Sequence, residues 1–151
     1  MIEDIRNYLA LTEKLSSSGM PTAEQLSSVA ETGIRVVVNL ATASSAGAIP
    51  NEKELVESLG MTYFNIPVDW NNPTRKNLDD FLHLMDEHAQ SNVLVHCQAN
   101  FRATGFITLY RIIRLGWKRE DAWQDLRKIW NPQDYPIWHK FMEENLGTGD
   151  K

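Results

Sequence analysis

Residues 93–106 read VLVHCQANFRATGF, and this stretch decides the fold class. Its opening, Val93 to His96, is a short, nearly continuous apolar run, the pattern of a strand buried on both faces of a parallel sheet. A short turn follows Cys97, and then Phe106, Leu109, Tyr110 and Ile113 recur at helical spacing up to a stop near Gly116. A buried strand that passes through a few residues into a helix is the local grammar of an alternating α/β chain.

The same grammar repeats upstream. Thr22 with Gln25 three residues on forms a capping box, Gly33 sits where a helix C-terminus favours a left-handed residue, and IRVVVNL (34–40) then reads as a buried strand. Asn51 and Glu54 open a short helix that Gly60 closes, and MTYFNIPV (61–68) reads as a strand running out at Pro67 and Asp69. Thr74 opens a helix carrying Leu78, Phe81, Leu82 and Met85. Downstream, Trp123, Leu126, Ile129 and Trp130 form one apolar stripe, and Ile137, Phe141 and Met142 another after a break at Asn131 and Pro132. The expectation is an α/β fold, a central mainly parallel sheet of four to five strands flanked by helices, with residues 1–151 as a single domain. Sites in such sheets gather at the carboxyl ends of the strands, where Asp69 and Cys97 are both expected.

Composition narrows the function. With 151 residues, 42% hydrophobic and 23% charged, the chain suffices for one packed core. A formal charge of -5 supplies no basic field for nucleic acid or an anionic membrane, so any anion site has to be local. The single cysteine cannot form an internal disulfide, which suits a reducing compartment such as the cytoplasm. MIEDIRNYLALTEKL (1–15) lacks the charge and apolar run of a signal peptide, and GTGDK (147–151) looks too polar and glycine-rich to be ordered.

The chemistry centres on Cys97. A cysteine at the end of a buried strand, followed by a helix N-terminus and an arginine, sits where amide N–H groups and a guanidinium both favour a thiolate and an anion cradle. Arg102 suits bidentate contact with phosphate or sulfate oxygens. Thr104 is close enough in sequence to offer its hydroxyl to the thiolate, and His96 is placed to organise the loop by hydrogen bonding. A buried structural cysteine is the plainer alternative for an isolated residue, but the company of His, Arg and Thr favours chemistry. Asp69, after Pro67 and before Asn71, Asn72 and Pro73, fits a plain turn as well as a catalytic carboxylate.

The pair His96–Cys97, the loop and Arg102 resemble the signature of protein tyrosine and dual-specificity phosphatases, and more narrowly of bacterial dual-specificity-phosphatase-like proteins. The likeness runs from SSSGMPTAEQL through ETGIRVVVNLA and YFNIPVDWNNPT to VLVHCQANFRATGF. It implies a cysteine-phosphatase-like fold, hydrolysis of phosphomonoesters through a cysteinyl-phosphate, no metal or cofactor, and Asp69 as the acid that protonates the leaving oxygen. It also implies an anion loop formed by Gln98, Ala99, Asn100, Phe101, Ala103 and Thr104, with a phosphorylated substrate, phosphate or sulfate as the partner.

One feature departs from that signature. The family places five residues between cysteine and arginine, whereas here only Gln98, Ala99, Asn100 and Phe101 intervene. Aligned without a gap, Asn100 replaces a loop glycine, as an asparagine in a left-handed conformation can, and Ala103 stands at the arginine position. Either Arg102 reaches the anion from one position earlier or the loop is tighter. The four-residue spacing matches rhodanese-like sulfurtransferases, which leaves two alternatives: a sulfurtransferase, or a weakly active phosphate-binding domain. The tryptophans read as core packing, with Trp70 a candidate for the site entrance; His83, His88 and His139 lack metal-ligand company; and Asp79, Asp80, Asp86 and Glu87 read as a solvated helix face.

Overall fold

The structure, a computed structural model, describes residues 1–147. The expected disorder of the 147–151 tail falls, beyond Gly147, outside the described residues. Five strands, β1 (Leu9–Thr12), β2 (Leu15–Ser18), β3 (Val36–Asn39), β4 (Thr62–Asn65) and β5 (Val93–His96), form one sheet in the order β1-β2-β5-β3-β4. Only the β1–β2 hairpin is antiparallel; β2, β5, β3 and β4 run parallel. The expected α/β class and mainly parallel sheet are therefore present, with β5 at the centre.

Among the described residues six α-helices flank the sheet: α1 (Ala23–Glu31), α2 (Glu52–Ser58), α3 (Arg75–Glu87), α4 (Phe101–Ile113), α5 (Arg119–Leu126) and α6 (Pro136–Leu146). Because successive strand residues point to opposite faces, β3 and β5 feed two cores. Val36, Val38, Val93 and Val95 pack with α3, α4, α5 and α6 on one side, while Val37 and Leu94 meet Leu26, Val29 and Val56 of α1 and α2 on the other. Local signals set the helix ends: Thr22 accepts from the Gln25 amide, Thr74 from the Asn77 amide, and Gly33, Gly60 and Gly116 all have positive φ.

Four details differ from the sequence reading. The hairpin β1–β2 carries no strand signature because Ser16, Ser17 and Ser18 are buried although polar. Strand β4 stops at Asn65, four residues short of Asp69, although Ile66 and Val68 still donate to the Asn39 and Leu40 carbonyls. Helix α5 ends at Leu126, so Ile129 and Trp130 lie beyond it, and of the expected α6 stripe Ile137 is exposed, with Trp138 buried in its place. Helix α4 is not amphipathic: every residue from Arg102 to Arg111 is buried, because the helix packs between the sheet and α3, α5 and α6.

Candidate active site

Strand β5 delivers Cys97 at the middle of the sheet's carboxyl edge, with the thiol 1% exposed at the floor of a cavity of about 330 Å³. Trp70, Gln98, Ala99, Phe101, Arg102 and Tyr135 form the rest of the lining. Five residues expected in the site thus come together: Cys97, Gln98, Ala99, Phe101 and Arg102. Trp70, the expected entrance residue, lines the mouth. It stacks on Trp138 at 5.4 Å between centroids and meets Tyr135 edge-on, while Phe101 stacks on Trp130 at 4.9 Å. From sequence, Trp130 and Trp138 read as core, and Tyr135 carries no signal.

Arg102 is the second residue of α4, so the shortened spacing puts its side chain in the first helical turn. Its guanidinium is 6% exposed; Nη1 donates to the Val68 carbonyl at 2.8 Å, and Nη2 lies 3.5 Å from the Ser45 hydroxyl. Ser45 belongs to a loop that touches the site residues a second time, where the Ala46 amide donates to Gln98 Oε1 at 3.1 Å. No motif in TASSAGA (42–48) signals this contact.

The turn before α4 is built around Asn100, whose φ of 72° is left-handed. Thr22 and Thr74 begin their helices in extended conformation and cap them with their hydroxyls, but Asn100 makes no side-chain cap bond. The first amides of α4 therefore have neither an intrahelical nor a side-chain acceptor. Asn100 and Ala103 are fully buried and do not line the cavity. Gly19 runs alongside the loop: a Cβ there would lie 2.7 Å from the Gln98 carbonyl oxygen, a separation that only glycine permits.

One expectation needs correction. Thr104 does not reach Cys97: its hydroxyl donates to the Asn100 carbonyl at 2.7 Å and accepts from Trp130 Nε1 at 2.9 Å, which locks the helix start. Asp69 is exposed and outside the cavity lining; its carboxylate accepts from the Asn71 amide at 2.9 Å, the geometry of an Asx turn. Val68 on one side is held by Arg102, and Trp70 on the other stands in the cavity wall.

His96 organises the loop from behind, through a partner that sequence reading missed. Its Nε2 meets Glu52 Oε2 at 2.6 Å, with the two side chains 0% and 3% exposed, and its Nδ1 lies 3.4 Å from the Cys97 carbonyl oxygen. Asn39 donates to Glu52 Oε1 and to the Tyr63 hydroxyl, both at 3.1 Å. Burial pushes Tyr63 up to about 12, opposed by the Asn39 bond and reinforced by the Glu52 charge. Glu52 opens α2, where an acid suits the helix dipole, so nothing local announces a bond 44 residues away.

The comparisons agree with this geometry. A DUF442 protein from Shewanella putrefaciens CN-32, provisionally assigned as a phosphatase, is 36% identical, with 95% of this chain and 91% of that one covered at a TM-score of 0.85. Pseudomonas aeruginosa TpbA, solved with phosphotyrosine, matches at 16% identity and a TM-score of 0.72, with 91% and 83% covered. The catalytic domain of the Saccharomyces cerevisiae PP-IP phosphatase SIW14, solved with citrate, matches at 17% and 0.75, with 97% and 88% covered. These last two show the fold. No curated protein matches the sequence. The family described as "Polymorphic toxin system, DSP-PTPase phosphatase" matches residues 12–116; with more than half of the chain matched, the protein belongs to this family of dual-specificity-type cysteine phosphatases.

Proposed function

We propose that the chain hydrolyses phosphomonoesters at Cys97, with a preference for aryl esters. The observation that carries this reading is the shared cavity, which gathers a thiol, an arginine and the uncapped N-terminus of α4 under an aromatic rim. In the first step the Cys97 thiolate forms an S–P bond as the ester P–O bond breaks, and the leaving oxygen takes a proton from Asp69. Water then cleaves the S–P bond and releases inorganic phosphate. Val68 and Ser45 occupy two of the five N–H donors of Arg102, which leaves the others for the phosphoryl oxygens. The remaining contacts would come from the backbone of Gln98, Ala99, Phe101 and Arg102, which line the cavity, with Trp70, Phe101 and Tyr135 against the aryl group; the Thr104 amide is bonded to the Asn100 carbonyl. Among the described residues no helix is long and apolar enough to cross a membrane, and the one unpaired cysteine suits a reducing, cytoplasmic setting. Sulfur transfer rests on loop length alone and draws no support from the comparisons.

Asp69 supplies the test. Asp69 follows directly on the Arg102-bound Val68, and among the described residues no acidic residue lines the cavity itself. Asp69→Asn should slow alkyl phosphates by about 10²-fold and activated aryl phosphates far less, because only a poor leaving group needs the proton. Turnover over a leaving-group series, with thiosulfate and cyanide in parallel, measures it. Equal losses across the series would reduce Asp69 to the turn residue its Asx geometry describes.

A further inference from the structure

Among the described residues two non-glycine residues have positive φ, Asn7 at 52° and Asn100 at 72°, and they are hydrogen-bonded to each other. Asn100 Nδ2 donates to the Asn7 carbonyl at 2.7 Å, and Asn7 Nδ2 donates to the Ala99 carbonyl at 2.9 Å. Asn7 thus holds both the peptide before the left-handed turn and the side chain of the residue that makes it. A left-handed non-glycine residue is disfavoured and persists where its surroundings fix it. The neighbouring backbone completes the clamp: the Gly19 amide donates to the Arg6 carbonyl at 2.7 Å, and the Met20 amide to the Gln98 carbonyl at 3.0 Å.

We infer that Asn7 is a positioning residue for the anion loop, an inference that rests on the anion-site reading above. Turning the Asn100 amide outward to Asn7 takes it away from the cap position it would otherwise occupy on α4. The first turn of α4 is thus left without a side-chain cap where Phe101 and Arg102 line the cavity. The consequence is that the four-residue loop keeps its anion-binding shape through a contact made more than ninety residues away. Asn7 touches no substrate and acts only through Ala99 and Asn100.

The test uses inorganic phosphate as the probe, followed by the ¹⁵N–¹H signals of Ala99, Phe101 and Arg102 in the full chain. Asn7→Gly accommodates the left-handed backbone while removing the side-chain donor, and Asn100→Gly removes the reciprocal bond with the same gain in backbone freedom. Each variant should bind phosphate roughly fivefold to tenfold more weakly, with the fold's other signals unmoved. The double variant should lose little more than either single, because both changes break one unit. Wild-type affinity in Asn7→Gly, or losses that simply add, would overturn the inference while leaving the anion site standing. A wild-type chain whose loop signals do not respond to phosphate would overturn the anion-site reading itself.

Discussion

Replacing Cys97 by serine should lower phosphomonoester turnover by roughly 10⁴-fold, the order expected when a covalent nucleophile is removed, while the chain stays folded and still binds phosphate. The reason lies in the separation of chemistry from packing. Cys97 is 1% exposed among apolar neighbours of the α3–α6 core, and serine differs by one atom, so the fold should lose only about 1 kcal/mol. The loss of turnover at that scale is about 5.4 kcal/mol of transition-state stabilisation. Turnover and a denaturation midpoint measured on the same preparations separate the two. If Cys97→Ser keeps more than a small fraction of the wild-type rate, the thiol is a structural residue and the hydrolysis has another origin.

Glu52→Ala should be the most damaging substitution outside the cavity, costing about 3–5 kcal/mol of stability. His96 and Asn39 both bond to Glu52, and His96 is completely buried. Truncation leaves His96 Nε2 and one Asn39 N–H without their buried partner. Glu52→Gln keeps an acceptor oxygen and should cost less, about 1–3 kcal/mol. Urea denaturation distinguishes them. A cost below about 1 kcal/mol for the alanine variant would mean that water reaches His96 and that the pair does not hold the loop.

Local signals are legible in the sequence and long-range ones are not. The capping boxes at Thr22 and Thr74, the positive-φ glycines after α1 and α2, and the buried run ahead of Cys97 each depend on a few adjacent residues. Neighbouring residues alone are therefore enough to bring the cysteine, the arginine and the loop to one edge of the sheet. Ser16, Ser17 and Ser18 hide an inner strand because burial overrides their low strand propensity. Arg111 hides the full burial of α4, since its charge is answered by Asp125 at 2.7 Å and by the Trp117 ring against it. Asn7 and Glu52 hold the loop from 93 and 44 residues away, and such contacts leave no spacing to read. Chain position suggests a thiolate contact for Thr104, whereas its hydroxyl is bound by Trp130 and the Asn100 carbonyl.

The central claim is covalent catalysis at Cys97, and acid quenching of the enzyme during turnover of an aryl phosphate tests it most directly. Peptide mass analysis of the quenched protein should find one phosphoryl group on the peptide holding Cys97, absent from Cys97→Ser. Steady hydrolysis with no phosphoryl group on that peptide, or a persulfide on Cys97 after thiosulfate with no phosphoryl transfer at all, would contradict it.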